Sequence, residues 1–323
     1  MSPNPPEIAL TLVGKSPLTP DIWQLELRAE APLPVIEPGA HLAVRTPIGA
    51  MRQYSIISAD DRRIDIAVKR EPGGRGGSRS LIDETTVGEQ VHAQPPENHF
   101  GLEDAPSYLF IAGGIGITPV LSMIRALLAR ETVPPFTLIY CTRTPAMTPF
   151  RDELARLPAG SMVLHHDHGD PAQAYDFWPL LETPDARHIY CCGPAPLMDS
   201  IRDMVGHWPS RSVHFEDFQP VKALRAADQA FEVRFLDDAP ALTVRADQTL
   251  LQALRDAGLS VASSCESGTC GTCRMPFLEG EIEHRDLVLT PAERAGELIC
   301  CVSRARDDTL RLAVPGPTGK DRD

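Results

Sequence analysis

Four cysteines near the C-terminal end constrain this chain more than any other feature. Three stand close together in Cys265-Glu-Ser-Gly-Thr-Cys270-Gly-Thr-Cys273, and a fourth comes from the pair Cys300-Cys301. C-x4-C-x2-C with a distant fourth cysteine is the spacing of a plant-type [2Fe–2S] site. The demand is geometric, because three thiolates must converge on two irons from one short loop. Gly268 and Gly271 let that loop fold back, since glycine tolerates positive φ. The loop's N–H groups can then face sulfide and thiolate. Cys265, Cys270 and Cys273 are therefore expected ligands. Spacing leaves the fourth open. Neighbours on a strand point to opposite faces, so one of Cys300 and Cys301 binds and the other packs as a small hydrophobe. A one-electron centre implies that the rest of the chain feeds it.

The 323 residues suffice for two or three domains. A net charge of −13 argues against general nucleic-acid binding. No run approaches the ~20 apolar residues of a membrane span. The start, Met1-Ser-Pro-Asn-Pro-Pro-Glu-Ile, has no basic segment leading into an apolar run, so no secretory signal is expected. The eight cysteines are clustered, which favours redox or metal use over disulfides and a cytoplasmic setting.

From residue 1 to about 103 the sequence reads as short strands punctuated by Pro and Gly: Ile8–Val13, Ile22–Leu27, His41–Thr46, Tyr54–Ile57 and Ile64–Val68. That pattern predicts an antiparallel β-barrel. Two pieces look chemical. One is Arg52-Gln53-Tyr54-Ser55, and the other is Ala67-Val68-Lys69-Arg70 followed by Gly73-Gly-Arg-Gly76-Gly77-Ser78. A glycine-rich loop with arginine and hydroxyls can cradle a phosphate. Together the two resemble the flavin-binding half of the ferredoxin reductase-like family.

From about 104 to 222 strands alternate with helices. Ser107–Ala112 reads as a buried strand, Gly113-Gly114-Ile-Gly116-Ile-Thr118-Pro119 as a turn, and Val120–Ala129 as a helix. This βα unit puts pyrophosphate at a helix N-terminus. Strands follow at Phe136–Cys141, Val163–His165 and His188–Cys191, then the turn Cys192-Gly193-Pro194 and a helix over Ala195–Val205. His165, His166 and His168 invite a metal reading, but His165 and His166 alternate faces. The segment is read instead as the loop beside the adenosine. There Asp170 would bind a ribose hydroxyl and repel a 2′-phosphate, while Arg143 would pull the other way. In His214-Phe215-Glu216-Asp217-Phe218, Phe218 is expected against the flavin and Phe215 in the core.

Residues 223–229 read as a linker and 317–323 as a tail. Between them, 230–316 carries an alternating hairpin (Phe231–Leu236, Leu242–Ala246), a helix over Thr249–Ala257 ended by Gly258, and strands at Arg274–Phe277, Glu281–Glu283 and Leu310–Val314. Hairpin, helix, further strands and four cysteines suggest the β-grasp ferredoxin fold. The expected whole is multidomain. An antiparallel barrel spans 1–103, an α/β domain with a parallel sheet spans 104–222, and a plant-type ferredoxin domain closes the chain.

These motifs resemble one family over nearly the whole chain, phthalate dioxygenase reductase and related reductases of Rieske-type oxygenases. Matching runs extend beyond the glycine turns: His165-His-Asp-His-Gly-Asp-Pro171, Tyr190-Cys-Cys-Gly-Pro194, Gly206-His-Trp-Pro209 and His284-Arg-Asp286. The resemblance implies FMN rather than FAD, with Arg52 near its phosphate. It implies a flavin surrounded by Arg52, Gln53, Tyr54, Ser55, Ala67, Val68, Lys69, Gly76, Gly77, Ser78 and Phe218. It implies NADH held by Gly113, Gly114, Gly116, Thr118, Asp170, Cys192, Gly193 and Pro194, with Thr118, Cys192 and Phe218 around the reacting rings. It selects Cys301 as the fourth iron ligand, since the family's ligand directly precedes x-Ser-Arg-Ala. Gln53 departs from the family, where a hydroxyl residue is familiar. The implied function is an NADH-dependent reductase. It passes electrons through FMN and the cluster to a terminal Rieske-type aromatic-ring oxygenase or O-demethylase component, in a transient complex and as a monomer. Two other readings stand: a different acceptor, such as a carrier ferredoxin or a non-Rieske oxygenase, and a zinc-holding nucleotide sensor without turnover. The latter lacks the paired C-x2-C spacing of four-cysteine zinc sites.

Overall fold

A computed structural model describes residues 7–316, except 75, 219–222, 238, 264, 265, 267, 269 and 270. The chain divides into two units, with the break after Phe218.

The first unit begins with β1 (Ile8–Pro17), β2 (Ile22–Ala29), β3 (His41–Arg45), β4 (Met51–Ala59), β5 (Arg63–Lys69), α1 (Gly77–Asp83) and β6 (Gln90–Ala93). The strands close an antiparallel barrel in the order β1-β2-β5-β4-β3-β6. Alternation decides what faces inward. Leu10 and Leu12, Leu25 and Leu27, and Ile64, Ile66 and Val68 fill the barrel. The sequence pattern predicted five of the six strands. β6 escaped it because four residues with two inward positions, Val91 and Ala93, carry too little periodicity. The expected phosphate loop runs directly into α1. Gly76 enters at φ +87, and Leu81 and Ile82 bury their side chains in the barrel core.

The same unit continues with β7 (Tyr108–Gly113), α2 (Ile117–Leu128), β8 (Phe136–Thr142), α3 (Arg151–Leu154), β9 (Met162–His166), α4 (Trp178–Leu181), β10 (His188–Cys192), α5 (Ala195–Met204) and β11 (Val213–Glu216). All five strands are parallel, in the order β11-β10-β7-β8-β9. β7 is buried along its whole length, as a strand covered on both faces must be. The direction of winding reverses between β7 and β10, and such a switch point opens a ligand crevice at the strand C-terminal ends. The helix expected from Val120 starts at Ile117, so Thr118 and Pro119 lie in its first turn. Proline is tolerated there because the first four N–H groups have no helical partner. α2 also ties the sheet to the barrel. Ser122 accepts the Gly39 N–H at 3.0 Å, and Arg125 donates to the Ile57 carbonyl at 3.0 Å while gripping Glu153 through two bonds of 2.7 Å.

The second unit contains β12 (Phe231–Arg234), β13 (Leu242–Val244), α6 (Leu250–Asp256), β14 (Arg274–Glu279), β15 (Ile282–Glu283), β16 (Glu297–Ile299), β17 (Arg304–Ala305) and β18 (Thr309–Leu312). The mixed sheet runs β13-β12-β18-β14-β16, antiparallel except where β12 meets β18, and α6 buries Leu250, Leu251, Ala253 and Leu254 in its core. This is the expected grasp of a sheet around one helix. Thr249 and Gln252 form a reciprocal capping box, and Gly258 at φ +86 follows the helix end. The segment expected as a linker is bonded into this unit. Arg285 donates to the Ala223 carbonyl (2.8 Å) and pairs with Asp228 (2.6 Å), Arg304 donates to the Gln229 carbonyl (2.9 Å), and Arg225 pairs with Glu283 (2.5 Å).

Candidate functional site

The two glycine turns meet at the switch point. Gly116 lies so close to the Cys192 carbonyl that an added Cβ would collide with it. A Cβ on Gly113 would stand 2.6 Å from Pro194 Cδ, and one on Gly193 would stand 3.1 Å from the Gly113 backbone. Close backbone approach thus requires glycine at Gly116, while the Pro194 ring and Leu197 crowd Gly113, and Leu197 and the Gly113 backbone crowd Gly193. Gly114 differs, with φ +53 and open space before it. Tyr140 holds this turn by donating to the Gly114 carbonyl at 2.9 Å. α2 starts here without a side-chain cap; the Ile117 N–H is spent on the Gly114 turn and Pro119 has none, so the free end offers pyrophosphate the remaining first-turn N–H groups. The Thr118 hydroxyl is spent on the Ile115 carbonyl (3.0 Å), which leaves the residue to act as a wall.

Cys192 ends β10 opposite Glu216 of β11 and is fully buried in the core beneath α2. Burial, with Glu216 nearby, pushes its thiol well above its ordinary value, so it stays neutral. Cys191 faces the other core and donates to Met198 Sδ at 3.6 Å. Sequence reasoning passed over Glu216. Burial raises its carboxyl to about 8, offset in part by the Ser55 hydroxyl and reinforced by Asp217. Its Oε2 and the Tyr54 hydroxyl are shielded, yet neither meets a full hydrogen-bond geometry among the described residues, and the Ser55 hydroxyl is the polar group that approaches the carboxyl. Buried orphans of this kind are rare in proteins and fit a polar ligand edge. No sequence signal marked Glu216, because its place comes from β-register with Cys192.

Around the barrel strand, the Arg52 side chain crosses the start of α1. A Cβ on Gly77 would stand 2.9 Å from Arg52 Nε. A guanidinium beside N–H groups at a helix start suits a phosphate. Tyr54 packs against the barrel core, and Gln53 turns its amide to His41 at 3.0 Å. Ala67 faces the core beneath α2 and Val68 the barrel core, so only their backbones can reach a ligand. Lys69 pairs with Glu71 (2.6 Å), and the Ser78 hydroxyl accepts the Glu71 N–H (3.1 Å). Phe218 is 38% exposed, whereas Phe215 packs on the second sheet core beneath the Arg202 guanidinium at 4.7 Å. Arg202 also pairs with Asp217 at 2.5 Å, fixing the end of β11.

In the loop expected beside the adenosine, His165 bonds the Gln173 carbonyl (2.7 Å) and His166 bonds Thr142 (2.8 Å). The two histidines do not share a site. Asp170 accepts from the Ala172 N–H and the Gln173 amide, both at 2.9 Å, and these bonds hold its carboxyl below the ordinary range.

In the second unit, Cys265 and Cys270 lie outside the described residues. Cys273 and Cys301 are buried, and so is Cys300. Hydrogen bonds from Cys300, then Cys301, lower the Cys273 thiol to about 4 against the effect of burial, and the Cys301 N–H adds to them. Iron takes thiolate, so this donor set fits the cluster. Gly268 and Gly271 adopt φ +79 and +75, and Val302 closes over Gly268, where a Cβ would meet its Cγ2 at 2.8 Å. Just before them, Glu266 takes φ +50, held by Arg255 (2.7 Å) and Ser263 (3.0 Å). Asp286, from the His284-Arg-Asp run, is buried and accepts the Val288 and Leu289 N–H groups (3.2 and 2.8 Å), and the next residue, Leu287, donates to the Gly268 carbonyl (3.0 Å).

Barrel, switch-point sheet and cysteine-bearing grasp fold define a flavin- and nicotinamide-dependent iron–sulfur oxidoreductase. Residues 9–101 match the family "Oxidoreductase FAD-binding domain", 110–203 "Oxidoreductase NAD-binding domain" and 236–306 "2Fe-2S iron-sulfur cluster binding domain". The chain is 46% identical over 310 residues to the phthalate 4,5-dioxygenase oxygenase reductase subunit of Pseudomonas putida, covering 94% of this chain and 95% of that protein. It is 46% identical over 312 residues to phthalate dioxygenase reductase of Burkholderia cepacia, covering 94% and 97%. A solved structure of phthalate dioxygenase reductase superposes with a TM-score of 0.77 at 44% identity, covering 95% of this chain and 98% of that one. The chain belongs to the phthalate dioxygenase reductase family.

Proposed function

We propose that this chain draws electrons from NADH through FMN to a [2Fe–2S] cluster held by Cys265, Cys270, Cys273 and Cys301, and delivers them to a Rieske-type oxygenase or O-demethylase component. The observation that carries the reading is the meeting of the Gly116 and Cys192 turns, where the Ser55 hydroxyl of the barrel approaches the buried Glu216 carboxyl of the sheet. When bound, the flavin takes an electron pair from the nicotinamide and releases electrons singly to the cluster.

The chain's own residues do the rest. The glycines of both turns admit a flat ring edge-on, and buried Cys192 and Thr118 wall it from water. Glu216 holds a proton at neutral pH, within reach of the Ser55 hydroxyl. Arg52 at the start of α1 offers charge to a terminal phosphate, which supports FMN over a dinucleotide flavin. Asp170 favours NADH only through its negative charge, since its own turn already engages both carboxylate oxygens.

The test is spectroscopic. Purified protein should show flavin and iron–sulfur bands that NADH bleaches, and heat should release FMN identified by chromatography. Release of FAD overturns the FMN assignment, and a colourless zinc protein overturns the reading as a whole.

A further inference from the structure

Two half-buried histidines lie at the far end of the same strand pair from the nucleotide turns. His188 opens β10, and His214 is the second residue of β11. Register places His214 beside Tyr190, and Cys192 and Glu216 follow two residues further along. His188 Nδ1 and His214 Nε2 face one another at 3.1 Å. A carboxylate oxygen of Glu103 joins them, with the three candidate ligand atoms all within 4.8 Å of one another.

We propose that His188, His214 and Glu103 form a site for one divalent zinc-class ion, separate from the flavin, nucleotide and cluster sites. Tetrahedral zinc with nitrogen at about 2.0–2.1 Å sets neighbouring ligands about 3.3 Å apart, close to the spacing these imidazoles already have. Two imidazoles and a carboxylate are a donor set suited to zinc, and three protein ligands leave the fourth position to water.

The framework around them is rigid. His214 stacks on Tyr190 with ring centroids 4.3 Å apart and planes inclined by 12°. The Tyr190 hydroxyl donates to the Gly101 carbonyl (3.1 Å) and accepts the Glu103 N–H (2.8 Å), and Tyr108 donates to the Glu103 carbonyl (2.9 Å). The ring that supports one ligand therefore also fixes the backbone of another. The two imidazole planes are inclined by 28°. Bringing both lone pairs onto one ion takes a rotation about χ2, a broad sp³–sp² torsion. The ion would brace β10 and β11 against the segment that enters β7. It would replace the proton that now joins the two rings.

The proposal is tested by titrating Zn2+ into the full-length holoprotein against a fluorescent chelator, with the cluster cysteines occupied by iron. The wild type should bind one ion, and saturating Zn2+ should raise its thermal midpoint, because a ligand of the native state stabilises it. H188Q and H214Q should each weaken binding by about tenfold or more, since even outer partners of metal ligands are worth that much. E103Q, on an exposed residue, should weaken binding and keep the wild-type flavin spectrum. H99A should leave binding intact, although His99 lies in a second histidine–carboxylate group with His41 and Glu97. No bound ion in the wild type, undiminished binding in H188Q and H214Q, or loss of binding in H99A alone would overturn the proposal.

Discussion

Cys273 receives hydrogen bonds from both Cys300 and Cys301, so geometry at the thiol alone does not separate the two neighbours. The proposal of Cys301 rests on the family resemblance, in which the ligand directly precedes x-Ser-Arg-Ala, as Cys301 precedes Val302-Ser303-Arg304. Cys301→Ser should therefore abolish the iron–sulfur bands and spare the flavin. Cys300→Ser should keep both, with at most a small loss of stability from one changed core atom. The reverse result in absorption or electron paramagnetic resonance would move the ligand. Glu216 gives a pH signature. Its carboxyl titrates near 8 in the folded chain and near 4.5 when unfolded, so between those values the native state holds the extra proton. Stability from this group is greatest below 4.5 and declines as pH rises to about 8, by roughly a few kcal/mol. The thermal midpoint of Glu216→Gln should fall less steeply over that window than the wild type's. Parallel pH slopes would show that Glu216 ionises normally. The glycines of the cluster loop were legible in sequence because positive φ is a property of the residue itself. Glu216 was not, because its surroundings are assembled by the pairing of β10 with β11 and the approach of β4.

At the scale of elements, long periodic segments were readable and short ones were not. β7, α2 and α6 carry enough apolar positions to declare themselves, whereas β6, α1 and β16 are defined by what they pack against. The segment at 223–229 reads as a linker because it is polar, yet its carbonyls and Asp228 are bound by Arg285 and Arg304. Those two arginines lie more than fifty residues away in sequence, so no local pattern announces the pairing. Asp228 and both arginines are almost fully buried. Removing one partner of a buried ion pair leaves an uncompensated charge, at a cost of about 3–5 kcal/mol. Asp228→Ala should thus destabilise the cluster-bearing unit by that order, seen as earlier bleaching of the iron–sulfur bands on heating. Glu283→Ala, which removes a partly exposed partner, should cost less. Equal bleaching temperatures for wild type and Asp228→Ala would mean that the segment is a tether after all.

For the molecule as a whole, charge and cofactor order make separable predictions about electron exit. The chain carries 44 acidic and 31 basic residues, net −13. Its acidic surface repels anionic acceptors and attracts basic ones, and salt screens both effects over a Debye length of about 8–10 Å. Ferricyanide is an anionic acceptor that reduced flavin can serve directly, so its reduction by NADH should quicken as ionic strength rises. Delivery to an oxygenase through a basic docking patch should slow over the same range. The two routes should also part genetically. Cys301→Ser, lacking the cluster, should keep NADH-dependent ferricyanide reduction near the wild-type rate. It should lose NADH-dependent oxygen consumption with a purified Rieske-type oxygenase and its substrate. Stopped-flow and oxygen-electrode measurements on wild type and variant at low and moderate salt check both statements. Oxygenase turnover that persists in Cys301→Ser would mean that electrons leave from the flavin. Turnover that rises with salt would mean that the partner's docking face is not basic.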